Sequence, residues 1–365
     1  MKNVSTEDIP VSIDSIREYM EERFGGPVEL VGTDRLGGFA DTIKKLGYGE
    51  TFMITFRQED QERSVVFSTM RKDKYGHQYL WDRAHVLLFQ YAAGQRLPRH
   101  ALPLDVGYFT DRGKACSVRD ANAYFLLTEK VEGTDYFLDL KRLLSESLSG
   151  LDIERAKALG GYLAEVHSEK KDDPDLYVRK VRDHVGHGEC IMGIIDGYPR
   201  HYKYCSDEAF CEIETRCVEW RWKLKDYTGR LCREHGDFHP WNVKFREGTD
   251  FSTFDRSRGE YGEAADDVAT MSINYILYSL LRYGKLDGAY RKLHDAYMET
   301  YLDKTKDQEI FDVIQPFYAF RGLVIASPEW YPDHPEEIRT RLFNFIRNIL
   351  ATDRVRMDEL NQYLE

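Results

Sequence analysis

Three polar side chains at fixed spacing could do chemistry in this sequence. Asp237 is followed five positions later by Asn242, and Asp255 comes thirteen positions after that. A carboxylate can accept or orient the proton of an attacking hydroxyl, and carboxylate and amide oxygens are hard ligands for Mg²⁺ beside phosphates. The set therefore suits metal-assisted phosphoryl transfer, with Asp237 as the base and Asn242 and Asp255 as the metal ligands.

The sequence between Asn242 and Asp255 predicts a hairpin that would bring these two residues close together. Residues 243–245 and 251–254 have the pattern of two short strands around a polar turn at 248–250. Such a hairpin would bring Asn242 and Asp255 to the same end, facing one metal ion.

The wider motif resembles the aminoglycoside phosphotransferase-like small-molecule kinases, which are relatives of choline, homoserine and fructosamine kinases. Their signature is H-G-D-x-H-x-x-N, then an apolar strand ending in Asp, then G-(D/E)-x-x-x-D-(L/V)-A. The residues of this chain that match it are His235, Gly236, Asp237, His239, Asn242, Asp255, Gly262, Glu263, Asp267, Val268 and Ala269. The match is tight over about residues 233–271 and only general elsewhere.

The resemblance implies an α+β, two-lobed protein-kinase-like fold with a small β-rich N-lobe and a large, mainly helical C-lobe. The expected organisation is an N-terminal helix over 1–25, a nucleotide-binding N-lobe over 26–131 and a catalytic, acceptor-binding C-lobe over 132–365. The implied activity is transfer of the γ-phosphoryl group of ATP, or GTP, to a hydroxyl of a small molecule, with Mg²⁺. Within the catalytic loop His235 would be a buttress, and Asp267 would accept backbone N–H groups.

Nucleotide-binding residues are expected in the first lobe and at its border. Gly37 and Gly38 would let backbone amides approach phosphate oxygens, with Phe39 shielding them, although a Gly-Gly turn is also an ordinary hairpin. Residues 126–133 resemble the hinge between lobes, where the backbone from Glu129 to Val131 would contact the adenine edge.

The chain departs from the family pattern where a lysine near the end of the third strand should hold the α- and β-phosphates. Ser68 stands there, and Arg71 comes slightly later. Asp82, on the following helix, is a candidate acidic partner for such a cation, or an ordinary surface residue. The missing lysine also motivates a second function, a nucleotide-binding pseudokinase or regulatory protein without turnover. Transfer of a nucleotidyl group is a third.

Two arginines directly after Asp255 offer a replacement for the lysine. Arg256 and Arg258 could bind phosphate or an anionic acceptor. Alternatively they pair with nearby acidic residues and fix the loop; the candidates are Glu260, Glu263 and Asp266.

Elsewhere the pattern predicts a mixture of short strands and longer helices. Strands are expected at 28–31, 51–56, 64–67 and 123–127, and helices at 12–24, 79–93, 152–168, 212–225 and from 266 onward. His187 and Glu189 are candidates for acceptor recognition in a variable segment. The stretch from Arg321 and Gly322 to Pro332 should break the C-terminal helices through its aromatic and proline residues, and it could wall the acceptor pocket.

Composition sets the class of protein. The chain has 365 residues, 42% hydrophobic and 31% charged, which suits a globular protein of two domains or lobes. Its net charge of −12 argues against nucleic acid and anionic membrane as partners.

The first 25 residues lack the apolar centre of a signal peptide, so a cytoplasmic location is expected; the oligomeric state is open. Six cysteines without a Cys-x-x-Cys pair predict reduced thiols.

Overall fold

A computed structural model describes residues 4–5, 10–36 and 49–365, and it divides into two compact units, Met1–Thr128 and Glu129–Glu365. Its architecture is α+β, as the motif implies. The predicted domain boundaries at 25 and 131 stay a prediction.

The first unit begins with a strand pair and a helix. The elements are β1 (Val4–Ser5), β2 (Pro10–Val11) and α1 (Ile13–Phe24). Helix α1 follows its predicted bounds because its ends are capped. The Ser12 side chain accepts the Ser15 N–H at 3.0 Å, and Gly25 ends the helix in the left-handed conformation.

An antiparallel sheet forms the body of the first unit. Its strands are β3 (Glu29–Leu36), β4 (Gly49–Gln58) and β5 (Gln61–Met70), in the order β3-β4-β5. One face of the sheet packs on α1, in a core of Ile16, Met20, Val28, Leu30, Ile54 and Phe56. Helix α2 (Leu80–Gly94) and a hairpin of β6 (Gly107–Phe109) and β7 (Ala115–Ser117) follow.

The strand predicted over 123–127 is wrong. This segment forms no strand with any of the described residues, and Phe125 is 92% exposed. A strand exists only where a neighbouring strand satisfies its backbone hydrogen bonds. The β6–β7 pairing earlier in the chain involves only its own two strands, so the apolar run at 123–127 is left without a ladder.

The second unit begins with helices. Its first half contains β8 (Thr134–Asp135), α3 (Tyr136–Arg142), α4 (Gly150–Val166), α5 (Pro174–Gly186), α6 (Ile191–Asp196) and α7 (Asp207–Leu224). The predicted helices over 152–168 and 212–225 are therefore present as α4 and α7, with ends that differ by a few residues.

The strands that carry the candidate site come next, and helices complete the unit. They are β9 (Cys232–Arg233), β10 (Val243–Phe245), β11 (Phe251–Thr253), β12 (Tyr261–Gly262), α8 (Ala264–Tyr283), α9 (Gly288–Thr305), α10 (Gln315–Ala326), α11 (Glu336–Leu350) and α12 (Leu360–Tyr363). The short strands form two small antiparallel sheets, β11-β10-β8 and β12-β9. Helix α8 is the centre of the core, since its residues from 264 to 280 are all buried.

The helix break predicted over 321–332 is present, but Arg321 and Gly322 take no part in it. Both residues lie inside α10, buried among its apolar side chains, and the helix ends only at Ala326. Glycine is tolerated there because α11 packs against it: a Cβ on Gly322 would lie 2.6 Å from Ile346 Cγ1. The break falls instead between α10 and α11.

All six cysteines are free, as predicted. Among the residues that the structure describes, no helix is long and apolar enough to cross a membrane.

The contact between α4 and α9 gives a stability prediction. A Cβ on Gly160 would collide with the backbone carbonyl of Tyr297, whereas one on Gly161 would meet only the mobile end of Lys304 at 3.0 Å. Gly160→Ala should therefore lower the free energy of unfolding by about 1–3 kcal/mol, although alanine is the better helix former. Gly161→Ala is the matched control and should be near neutral in urea unfolding. Equal effects of the two substitutions would contradict the predicted close contact.

Candidate active site

The loop between β9 and β10 carries Asp237, and one buried carboxylate holds that loop in place. Asp267, in the first turn of α8, accepts the N–H of His235 at 2.7 Å and the N–H of Gly236 at 2.8 Å. His167 Nε2 lies 3.1 Å from the same carboxylate, and its Nδ1 lies 2.9 Å from the Tyr301 hydroxyl. The predicted contact of Asp267 with the loop is therefore present.

The ionisation of Asp267 follows from these contacts. Burial alone would raise its pKa, but the hydrogen bond from His167 and the loop N–H groups stabilise the charged form, so that the pKa is lowered overall. A fully buried carboxylate thus stays charged and paired.

Gly236 is glycine for a backbone reason. Its φ is +84°, a region that side-chain-bearing residues rarely adopt. A Cβ there would also lie 3.1 Å from Arg258 Cβ. This conformation turns its N–H toward Asp267, while its carbonyl accepts from Arg321 at 3.1 Å.

His235 is buried, with 4% of its surface exposed. Its Nδ1 accepts the Asp237 N–H at 3.3 Å, and its ring packs edge-on against Phe238 at 5.6 Å. Burial lowers the pKa of its imidazole, so the ring stays neutral and can accept that hydrogen bond.

Asp237 lies beside two guanidiniums and an imidazole. Its Oδ1 lies 2.6 Å from Arg321 Nη1 and 3.9 Å from Arg258 Nη2, while its Oδ2 lies 3.5 Å from His239 Nε2. Burial would raise the pKa of this carboxyl, but His239 and the two guanidiniums lower it well below its usual range. The side chain keeps 13% of its surface exposed, so the charged group remains reachable.

The predicted β10–β11 hairpin is present, with Val243 opposite Thr253. The Phe254 N–H donates to the Asn242 carbonyl at 3.2 Å, which brings the chain of Asp255 to the end where Asn242 lies. Arg155 of α4 donates to the carbonyls of Gly248 and Arg246 at 2.9 and 3.1 Å, at the opposite end of the hairpin.

The side chains of Asn242 and Asp255 offer oxygen atoms of the kind that magnesium binds. The Asn242 amide N–H donates to the Asp237 carbonyl at 3.0 Å, which leaves its oxygen Oδ1 as the ligand atom. Asp255 is exposed, with φ at +60°. Among the described residues, no three His, Cys, Asp or Glu side chains converge as a metal site. Two protein oxygens, completed by phosphate and water, are typical of Mg²⁺ sites.

The side chains of Arg256 and Arg258 contact backbone carbonyls and an aromatic ring rather than the carboxylates of Glu260, Glu263 or Asp266. Arg256 donates to the backbone carbonyls of Glu234 and Glu260 at 2.9 and 2.7 Å. Arg258 lies over the Phe320 ring at 5.0 Å, and its Nη1 lies 3.5 Å from the Glu189 carbonyl oxygen. The segment of Glu189 is thereby tied to the surroundings of Asp237.

The acidic candidates have other partners. The Glu263 carboxylate pairs with Arg230 at 2.8 Å, and Asp266 pairs with Arg321 at 3.1 Å.

In the first unit the predicted nucleotide residues are described only in part. Gly37, Gly38 and Phe39 lie outside the described residues. Arg71 donates to the carboxylate of Glu50 at 2.8 Å, a buried acidic partner that the sequence analysis missed. Asp82 accepts the N–H of Tyr79 at 2.8 Å and so caps helix α2.

At the start of the second unit Glu129 is exposed and Val131 is half-buried. His187 is exposed and ends α5. The roles proposed for these residues stay predictions.

A cavity of about 310 Å³ opens beside the loop, and its wall includes His235, Asp255 and Arg256. The candidate metal ligand Asp255 therefore faces open space rather than packed side chains.

Arg321 is the site residue that sequence reasoning missed. It lies 84 positions after its partner Asp237 and is 4% exposed. The available signal was a single charge inside the apolar run of α10, because a buried arginine is almost always paired.

Comparison with known proteins finds likeness at the level of structure. No protein-family model and no curated protein matches the chain. Amicoumacin kinase hAmiN, in complex with AMP-PNP and Ca²⁺, is 13% identical, with 87% of this chain and 91% of that chain covered and a TM-score of 0.38.

Two further solved structures are similar. A Plasmodium vivax ethanolamine kinase is 11% identical over 92% of this chain and 80% of its own, with a TM-score of 0.36. Spectinomycin phosphotransferase is 10% identical over 97% and 99%, with a TM-score of 0.32. By name these are kinases and phosphotransferases of small molecules, the class that the motif resembles. At such TM-scores the likenesses carry no argument of their own, and the case for function rests on the site.

The Asp267 anchor predicts a pH-dependent loss of stability in Asp267→Asn. An amide accepts only through its oxygen, so one loop N–H would face another donor, at a cost of about 1–3 kcal/mol. Because the pKa of Asp267 is lowered, its contribution exists above the unfolded value of about 4 and is lost as the pH falls further.

Urea unfolding should therefore separate the two proteins most at neutral pH and least in acid. Asp250→Asn is the control, since that exposed carboxylate pairs with Arg246 at 2.6 Å and should contribute little. A difference that does not change with pH would show that the charge of Asp267 is not its source.

Proposed function

We propose that this protein is an ATP- and Mg²⁺-dependent phosphotransferase that moves the γ-phosphoryl group to a hydroxyl of a small molecule. One observation carries the proposal. The Asp237 carboxylate lies on a loop fixed by Asp267, and the two candidate metal ligands follow at one end of a hairpin. A base next to two hard oxygen ligands is the arrangement that phosphoryl transfer from a nucleotide requires.

The reaction assigns a role to each of these residues. The acceptor oxygen forms a bond to the γ-phosphorus, the bond from that phosphorus to the β,γ-bridging oxygen breaks, and ADP leaves. The hydroxyl proton passes to Asp237, which orients the acceptor before transfer. Asn242 and Asp255 would hold Mg²⁺, which neutralises charge on the phosphates.

Two arginines, Arg256 and Arg71, agree with this chemistry. Arg256 is bonded only to neutral carbonyls in the contacts described above, so its charge is available to phosphate oxygens. In the first unit Arg71, oriented by Glu50, is the proposed substitute for the absent lysine. Gly37, Gly38 and Phe39, together with Asp82 and the backbone at Glu129 and Val131, complete the proposed nucleotide-binding set.

The acceptor is proposed to be a small molecule for a structural reason. Gly236 occupies the position where kinases regulated through an activation loop generally carry an arginine that pairs with a phosphorylated residue. Glycine offers no such receptor. The aromatic side chains beside the loop, Trp241 stacked on Phe137 at 5.3 Å and in edge contact with Tyr331 at 6.4 Å, are the proposed acceptor wall.

Ser68 favours the second candidate, a nucleotide-binding protein without turnover, because it leaves the third strand without the expected lysine. The two functions differ in one measurable respect. A phosphotransferase releases ADP only when an acceptor is present, whereas a nucleotide-binding protein without turnover binds ATP and releases no ADP.

The first test is substitution of Asp237. With Mg²⁺, ATP and a pooled library of hydroxyl-bearing metabolites and aminoglycosides, Asp237→Asn should lower acceptor-dependent ADP release about 10²–10⁴-fold, because the base is lost. ATP binding measured by thermal shift should persist. Asp250→Asn, in the turn of the hairpin, should keep wild-type turnover.

Mass analysis of the acceptor product completes this test. A gain of one phosphoryl group supports the proposal, and a nucleotidyl adduct would overturn it. Binding of ATP without release of ADP by the wild type would establish the second function instead.

Asp255 gives a prediction about the metal. Asp255→Asn keeps an oxygen but loses a charge, so the Mg²⁺ concentration for half-maximal turnover should rise at least about tenfold. Asp250→Asn again serves as the control for charge alone. An unchanged magnesium requirement would remove Asp255 from the ligand set.

A further inference from the structure

We infer that Arg321 is a positioning residue that gives the two oxygens of Asp237 different tasks. It holds Oδ1 in a charged hydrogen bond and thereby reserves Oδ2 for the hydroxyl of the acceptor. The inference rests on the proposed function for its chemistry, and on the described contacts for its geometry.

The contacts of Arg321 are those of a fork. Nη1 donates to Asp237 Oδ1 at 2.6 Å, and Nη2 donates to the Gly236 carbonyl at 3.1 Å. Nη2 and Nε also reach Asp266 Oδ1, at 3.1 and 3.4 Å. One planar group therefore binds both the carboxylate and the backbone that carries it.

The second oxygen of Asp237 has a weaker partner. His239 Nδ1 accepts the Trp241 N–H at 3.2 Å, so a neutral His239 carries its proton on Nε2. That nitrogen lies 3.5 Å from Oδ2, at the long limit of a hydrogen bond. Oδ2 is thus the oxygen with capacity for a further donor, whereas Oδ1 already has Arg321 and, at 3.9 Å, Arg258.

The backbone of Gly236 is held on both sides of its Cα, by residues of two helices. Its N–H donates to Asp267 of α8, and its carbonyl accepts from Arg321 of α10. Asp266, directly before Asp267, is the counter-ion that fixes the guanidinium. Each of the two peptide planes that flank Gly236 is therefore held by a different helix, and the plane held by Arg321 is the one that leads into Asp237.

A lysine at position 321 could not bind the Asp237 carboxylate and the Gly236 carbonyl together. Its single ammonium group lacks the rigid spacing of the guanidinium donors, which binds a carboxylate and a carbonyl at once. Arg321→Lys keeps the charge and most of the volume, so it removes the geometry and little else. It is the sharpest variant for this inference.

The expected result is a split between kinetic constants. Arg321→Lys should lower kcat about tenfold to hundredfold, because the Asp237 carboxylate would less often be oriented towards the hydroxyl of the bound acceptor. The KM for ATP should stay unchanged, since the hydrogen bonds of Arg321 to described residues are with Gly236, Asp237 and Asp266. Asp266→Asn should lower kcat in the same direction but less, because the contact with Asp237 remains.

Arg339 supplies the matched control. It is another buried arginine, 3% exposed, in α11, and its guanidinium donates to the carbonyls of Ala326 and Pro332 at 2.7 and 3.0 Å and to the carbonyl of Tyr331. Arg339→Lys loses a comparable buried fork that does not contact Asp237. Because Tyr331 belongs to the proposed acceptor wall, the KM for the acceptor is free to change, but kcat at saturating acceptor should stay at the wild-type value even if thermal stability falls.

A double variant separates positioning from damage to the fold. In Asp237→Asn no carboxylate remains to be oriented, so adding Arg321→Lys should not reduce the residual rate further. Additive losses, or equal losses of kcat in Arg321→Lys and Arg339→Lys, would overturn the inference.

A spectroscopic readout makes the test independent of turnover. The ¹³Cγ resonance of Asp237, identified by its loss in Asp237→Asn, should shift in Arg321→Lys and stay in place in Arg339→Lys. Absence of that shift would overturn the inference even in an active enzyme. Absence of turnover in the wild type, with the shift present, would instead count against the proposed function alone.

Discussion

The rest of the site depends on the hydrogen bonds that converge on Asp267. A buried carboxylate is expensive unless its lone pairs are occupied, and here two loop N–H groups and an imidazole occupy them. Its place in the first turn of α8 adds the favourable field of a helix N-terminus. Because two of those three donors are backbone N–H groups, the carboxylate fixes the path of the chain as well as one side chain.

The consequences of that anchor continue along the loop. The positive φ of Gly236 lets its N–H face Asp267, and the same conformation directs its carbonyl to Arg321. Asp237 then lies among cations, which keep it ionised. Structure and electrostatics are coupled here, because the arginine that lowers the pKa of Asp237 also holds its backbone.

The sequence predicted best what is local. The β10–β11 hairpin lies within about a dozen residues, and Ser12 and Gly25 mark the ends of α1 through capping chemistry that sequence displays directly. The anchoring role of Asp267 came from the family resemblance, and its geometry agrees.

The sequence failed where a partner lies far away. Arg321 contacts Asp237, which lies 84 positions earlier in the sequence, and the helix and strand periodicities of the sequence do not predict a contact over that distance. Glu50 lies opposite Thr69, beside the end of β5, so its contact with Arg71 follows only once the register of β4 and β5 is known. The apolar run at 123–127 had strand composition but no partner strand, and composition alone cannot supply hydrogen bonds.

The hairpin that carries the candidate metal ligands is held at both of its ends. At one end its strands join the loop of Asp237. At the other, Arg155 grips the turn carbonyls and is itself tied to Asp139 at 2.6 Å. Helix α4, which contributes no proposed ligand, therefore anchors the turn of the hairpin whose other end leads to Asn242 and Asp255.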